Sequence, residues 1–145
     1  RAGGGSRAWR AWRVVADCVP HRDRLPPEPV ADAAADTLWV APAWVSLALP
    51  VRRWLAAKAF SSWLVLQGEG LRTAVLGLRV ALGVLRAEAL RGCAEAGRPL
   101  DAHLLKEAIR RADLLLVHLA DPEALARRLS PCERARSFDG AATDV

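Results

Sequence analysis

The stretch LRTAVLGLRVALGVLRAEALRGCAEAGRP, Leu71 to Pro99, carries the clearest periodic signal in the chain. Leu71, Val75, Leu78, Leu82, Leu85 and Ala89 step by four and three residues, which sets them on one helical face over about five turns. Leu76, Val80, Val84 and Leu90 widen that face beyond a coiled-coil seam. Such a helix is expected to sit at the centre of a bundle. Arg72, Arg79 and Arg86 recur at seven and share the outer side. Glu88 with Arg91, Arg91 with Glu95, and Glu95 with Arg98 stand at spacings that favour surface pairing. Gly97 supplies a left-handed position and Pro99 a residue that cannot extend the helix. The spacing therefore predicts a central amphipathic helix near residues 70–96.

Helices are predicted on both sides of it. Upstream, Pro50 suits a first helical turn, and Val51, Trp54, Leu55, Ala59, Phe60, Trp63 and Leu66 form an apolar face that Gln67 to Gly70 closes. Downstream, Asp101 is placed to cap a helix that buries Leu105, Ala108, Ala112, Leu115 or Leu116, and Leu119. Lys106, Glu107, Arg110 and Arg111 point outward from it. Asp121, Pro122 and Glu123 read as a cap, a first-turn proline and an acid at the positive helix end. Ser130 and Glu133 repeat that signal with capping-box spacing.

The first third is less regular. Trp9, Trp12, Val15 and Ala16 recur at helical steps among Arg7, Arg10 and Arg13, and predict a short helix that stops before Pro20. His21 to Pro29 reads as an extended connector. Asp32 or Asp36 is expected to cap a turn or two around Ala31 to Leu38. Thr37 to Leu49 is too apolar for a solvated loop, and Pro42 breaks any continuous helix. It is expected as two short helices or an extended piece, largely buried in the domain or against a partner.

These elements predict an all-α, single-domain bundle of about five to seven helices, with no strand pair. Residues 1–19 form a flexible lead and a Trp/Arg segment outside the bundle, 20–30 a Pro-rich connector, 31–136 the helical domain and 137–145 a flexible tail. A chain of 145 residues can bury a core of this kind without metal or disulfides. Cys18, Cys93 and Cys132 are odd in number and widely spaced, as expected of reduced thiols in an intracellular protein. The glycine-rich opening without methionine is expected of a piece of a longer protein. The longest uncharged run, Thr37 to Val51, is about fifteen residues with two prolines, short of the roughly twenty that a spanning helix needs.

The residues carry no phosphate loop, dinucleotide fingerprint, serine elbow or paired-histidine zinc helix. Cys18 and His21 have ligand-like separation, with Asp17 and Asp23 close by. Structural zinc, however, uses two tight ligand pairs. Cys93 reads instead as a small core residue, and His103 and His118 as makers of helix-surface and helix-end contacts. The expectation is no catalysis, no metal and no cofactor.

Function is read from the aromatic and cationic residues. All six tryptophans fall at or before position 63. Tryptophan and arginine together are what interface centres use, because both join large contact area to directed polar groups. Trp9, Arg10, Trp12, Arg13, Trp39 and Trp44 are thus predicted to bind a protein partner or a second copy of the chain. A peripheral membrane contact by the Trp/Arg segment is disfavoured by its shortness. The alternative is a nucleic-acid-binding domain that meets phosphates through Arg52, Arg53, Arg72, Arg79, Arg86, Arg110 and Arg111, in line with a formal charge of +5. A helix–turn–helix over Leu104 to Leu129 fits poorly, because Glu123 would enter the groove first. Part of the arginine excess follows from coding bias, since Lys occurs only at Lys58 and Lys106.

Overall fold

The computed structural model describes residues 4–30, 32–60 and 70–130. It is an all-α bundle of six helices and one short 3₁₀ turn, with no strand among the described residues. Helix α1 is Gly4–Ala16, and the turn is Arg22–Arg24. Helix α2 runs Ala33–Ser46, α3 is Ala48–Phe60, and the two meet at 79°. Helix α4 is Leu71–Ala96; α5 is Ala102–Asp113, continued by a π-helical stretch Leu114–Leu119; α6 is Pro122–Leu129. Trp63, Leu66, Cys132, the capping box completed by Glu133 and the tail 137–145 lie outside the described residues.

Helix α4 is central, as its periodicity predicts. Its most extensive contacts are with α1 on one side and α5 on another. Val84, Leu85, Ala87, Glu88, Ala89 and Leu90 are all buried, so this half is enclosed around most of its circumference. Gly97 ends it at φ 65, the left-handed position that glycine occupies without strain. The leading turns depart from the expected stripe. Leu71 is 79% and Val75 41% exposed, whereas Thr73, Ala74 and Gly77 are buried. Bulky aliphatic side chains therefore stand outside at the start of α4, and small ones face inward.

The segment ahead of the connector is packed into the bundle instead of lying outside it. Ala8, Trp12, Val15 and Ala16 form the buried stripe of α1 and belong to the same core as Val84, Leu85 and Leu115. Small residues permit the close approach: a Cβ on Gly83 would lie 2.5 Å from Ala11 Cβ. Arg22 closes the end of α1 by donating to the Ala16 carbonyl at 2.7 Å. Farther on, Asp121 N–H donates to the Cys18 carbonyl at 2.7 Å, which joins the end of α1 to the start of α6.

Asp32 is the cap of α2, accepting from the Ala34 and Ala35 amides at 3.0 and 3.1 Å. Asp36 is buried and serves another purpose, described below. Pro42 does not break α2, because a π-helical stretch, Asp36–Val40, precedes it and Pro42 enters in the first turn of the next α-helical piece. Burial of this region is divided. Val40 is fully buried and Trp39 and Trp44 partly so, while Leu38, Val45 and Leu49 face out.

Asp101 and Asp121 cap α5 and α6 by accepting from Leu104 and Ala124 amides at 2.8 and 3.2 Å. Leu105, Ala108, Ala112 and Leu115 make the buried side of α5, as their spacing predicts. The ion pairs follow the sequence only in part. Arg91 does meet Glu88, but in the interior. Glu95 pairs across helices with Arg111, and Arg98 with Asp101, because α5 and its cap bring nearer partners than α4 offers itself.

Candidate functional site

Three tryptophans hold the peripheral helices to the centre, each in a cluster with one acid and one cation. Trp12 is 1% exposed, and its Nε1–H donates to Glu88 Oε1 at 2.9 Å. Glu88, also 1% exposed, accepts from Arg91 Nε at 2.8 Å. The Arg91 guanidinium lies 5.9 Å from the Trp12 ring centroid and donates to the Pro27 carbonyl. This cluster ties α1 and the connector to α4. In the second, Arg86 grips buried Asp36 through two bonds of 2.9 Å and lies 5.2 Å from the Trp44 ring, so α2 is tied to α4. In the third, Trp54 Nε1–H donates to Asp113 at 3.1 Å, and Lys58 pairs with the same carboxylate 5.5 Å from the Trp54 ring. That joins α3 to α5. Cations over ring faces and charge-assisted bonds favour each arrangement.

These clusters reassign several of the predicted site residues. Trp12 has no surface for a partner while α1 is docked. Trp9, Trp39 and Trp44 are half-buried, and Arg10 is exposed. Arg13 bonds Glu28 at 3.3 Å. Of the arginines considered for phosphate, Arg86 is held on Asp36, Arg110 on Glu107 at 2.6 Å and Arg111 on Glu95 at 3.1 Å. Arg52, Arg53, Arg72 and Arg79 are exposed, and no acid pairs with them among the described residues.

Among the described residues, two surfaces combine exposed side chains in a way that a partner could use. The first is the outside of α2 and α3, where Leu38, Val45 and Leu49 are 66%, 80% and 57% exposed. No single described helix is long and apolar enough to cross a membrane, although the bent pair Ala33–Ser46 and Ala48–Ala59 reaches that length and hydropathy together. The second is an open groove of about 390 Å³ where α1, α2 and α4 meet, lined by Arg7, Trp44, Arg79 and Leu82 over Ala8, Ala11 and Gly83. A second cleft of about 770 Å³, which shares Arg79 with the first, is lined on α4 by Leu76, Val75, Arg72 and Leu71. The seven-residue spacing of Arg72, Arg79 and Arg86 marked this side of α4 in the sequence. The contribution of Arg7 was not foreseen, since it depends on α1 docking.

Among the described residues no group of three or more His, Cys, Asp or Glu side chains could hold a metal ion. Cys18 is buried and its thiol donates to the Val14 carbonyl, which leaves the Cys18–His21 separation without a ligand set. Cys93 is a core residue. Burial pushes both thiols above their ordinary value, the opposite of what an activated nucleophile needs. His103 and His118 are exposed, and Glu107, one turn after His103, pairs with Arg110. Comparison with known proteins returns no match: no family model, no curated protein and no solved structure is similar to the chain.

Proposed function

We propose that the chain is a non-enzymatic helical interaction module that docks a partner protein, or a second copy of itself, on the outer face of α2 and α3. The observation that carries this reading is the outward exposure of Leu38, Val45 and Leu49 at 57–80%. A fully reburied side chain of this kind contributes about 2 kcal/mol. Scaled by their exposure, these three would contribute about 4 kcal/mol to an interface. Two helices that meet at 79° make a shaped corner, which suits complementary packing at an interface core more than a flat lipid boundary.

The test places a photoreactive residue at position 45 of the full chain, expressed in its native cells, with position 53 as control. The expected result is one discrete protein adduct from position 45, lost when Leu38→Asp and Leu49→Asp are introduced. An adduct with the chain itself would make the partner a second copy. Adducts with lipid alone, or equal labelling from both positions, would refute the reading.

Nucleic-acid contact is the second reading, supported by exposed Arg52, Arg53, Arg72 and Arg79. Its weight is reduced by the pairing of Arg86, Arg110 and Arg111. It predicts duplex or single-strand affinity that falls steeply between about 50 and 200 mM salt.

A further inference from the structure

We infer that the groove between α1, α2 and α4, a surface separate from the outer α2–α3 face, receives an acidic amphipathic helix from a partner protein. The argument rests on how floor, walls and rim differ. The floor is the seam where Ala8 and Ala11 of α1 pack on Gly83 of α4, an uncharged strip with no side chain rising from it. Trp44, Leu82 and Leu76 supply apolar walls. Arg7, Arg79 and Arg72 stand at the rim, all exposed and all without an acid partner among the described residues. The charge of Arg86 is already answered by Asp36. No described residue that lines either part of the groove is acidic.

Charge complementarity therefore asks for an anionic occupant, and the apolar content asks for more than phosphate. Leu71 and Val75 are 79% and 41% exposed along the same cleft. A duplex would neutralise the arginines and leave these side chains in water. A helix with leucine-like residues along one seam and carboxylates beside it satisfies both demands. From Leu71 to Arg86, α4 rises about 22 Å, enough to seat about four turns of a partner helix.

The probe is a fluorescein-labelled 15-residue peptide with leucines at three- and four-residue steps and glutamates on either side. Its counterpart carries lysine in place of every glutamate. Anisotropy is read against the full chain at low and moderate salt, and circular dichroism confirms that each variant retains its helices. The glutamate peptide is expected to bind at micromolar concentration, and the lysine peptide to bind at least tenfold more weakly. Arg79→Glu and Arg7→Glu should each weaken binding of the glutamate peptide tenfold or more. Arg53→Glu, the same charge change on α3, should alter it less than twofold. Equal loss with Arg53→Glu would reduce the effect to net charge and overturn the inference. Unchanged binding to Arg79→Glu would overturn it as well, as would a duplex DNA that binds more tightly than the peptide and displaces it.

Discussion

Replacing Glu88 with methionine tests whether the buried cluster beneath α1 is held as described. The carboxylate accepts from the Trp12 indole at 2.9 Å and from Arg91 at 2.8 Å, and it is 1% exposed. Removing it leaves the indole N–H without an acceptor, which costs about 1–3 kcal/mol. It also leaves the Arg91 guanidinium buried beside an apolar chain; an orphaned buried charge costs about 3–5 kcal/mol. Arg91 keeps the Pro27 carbonyl and 12% of its side-chain surface in solvent, so the two costs do not add in full. The expected loss is about 4 kcal/mol against a total stability of roughly 5–15 kcal/mol for a domain. Urea unfolding followed by far-ultraviolet circular dichroism measures it, with the slope checked for constancy between variants. The decisive comparison is the double variant Glu88→Met with Arg91→Met. Removing both charges eliminates the orphan, so the double variant should regain at least half of what the single variant loses. A single-variant loss below about 1 kcal/mol would place the cluster in a more solvated setting than its burial implies. A double variant less stable than the single one would refute the reasoning outright.

Gly83→Ala would put a methyl group 2.5 Å from Ala11 Cβ, an atom fixed to the backbone of α1. The expected cost is about 1–3 kcal/mol by calorimetry, and Ala11→Gly in the same chain should recover most of it. Asp101 titrates below its ordinary value of 3.8, first because the Leu104 amide donates to its carboxylate and then because Arg98 lies beside it. A depressed folded-state pKa means a contribution that is complete above the unfolded value and lost as pH falls through the folded one. Side-chain carboxyl shifts followed by NMR should show Asp101 titrating under 3.8, and Asp101→Asn should remove this part of the acid sensitivity.

The long helix and the two capped helices after it were legible because their signals are local. A periodic stripe, an aspartate ahead of it and a glycine or proline behind it are all read within one or two turns. Leu71 and Val75 were misplaced for the opposite reason: which part of a wide apolar face is covered depends on where neighbouring helices lie. The same holds for Glu88, which spacing paired correctly with Arg91 but set on the surface. Its burial follows from Trp12, seventy-six residues earlier. Pro42 predicted a break, and the chain avoids one with a π-helical stretch that no propensity signals. At the site, the shared face of Arg72, Arg79 and Arg86 was readable from their repeat. That Arg86 is withdrawn onto Asp36 while Arg79 is joined by Arg7 could come only from the packing of α1 and α2 against α4.

The crowding of tryptophan into the first half of the chain has a physical reason in this fold. The first three helices are peripheral; two are only thirteen residues long, and the other contains a proline. Helices of that length are marginal alone and need an anchor. A tryptophan provides wide apolar contact and, through its ring face or its N–H, a hold on charge that aliphatic residues lack. Trp12 uses it against Glu88 and Arg91 of α4, Trp44 against Arg86 of α4, and Trp54 against Asp113 of α5 beside Lys58 of its own helix. For these three tryptophans, the aromatic content is a consequence of how the bundle is closed. The arginines divide by the same logic. Those answered by acids, Arg86 and Arg91 above all, maintain the fold. Arg7, Arg72 and Arg79 line the groove with no acid partner among the described residues, and it is this remainder, not the formal charge of the whole chain, that should select a partner.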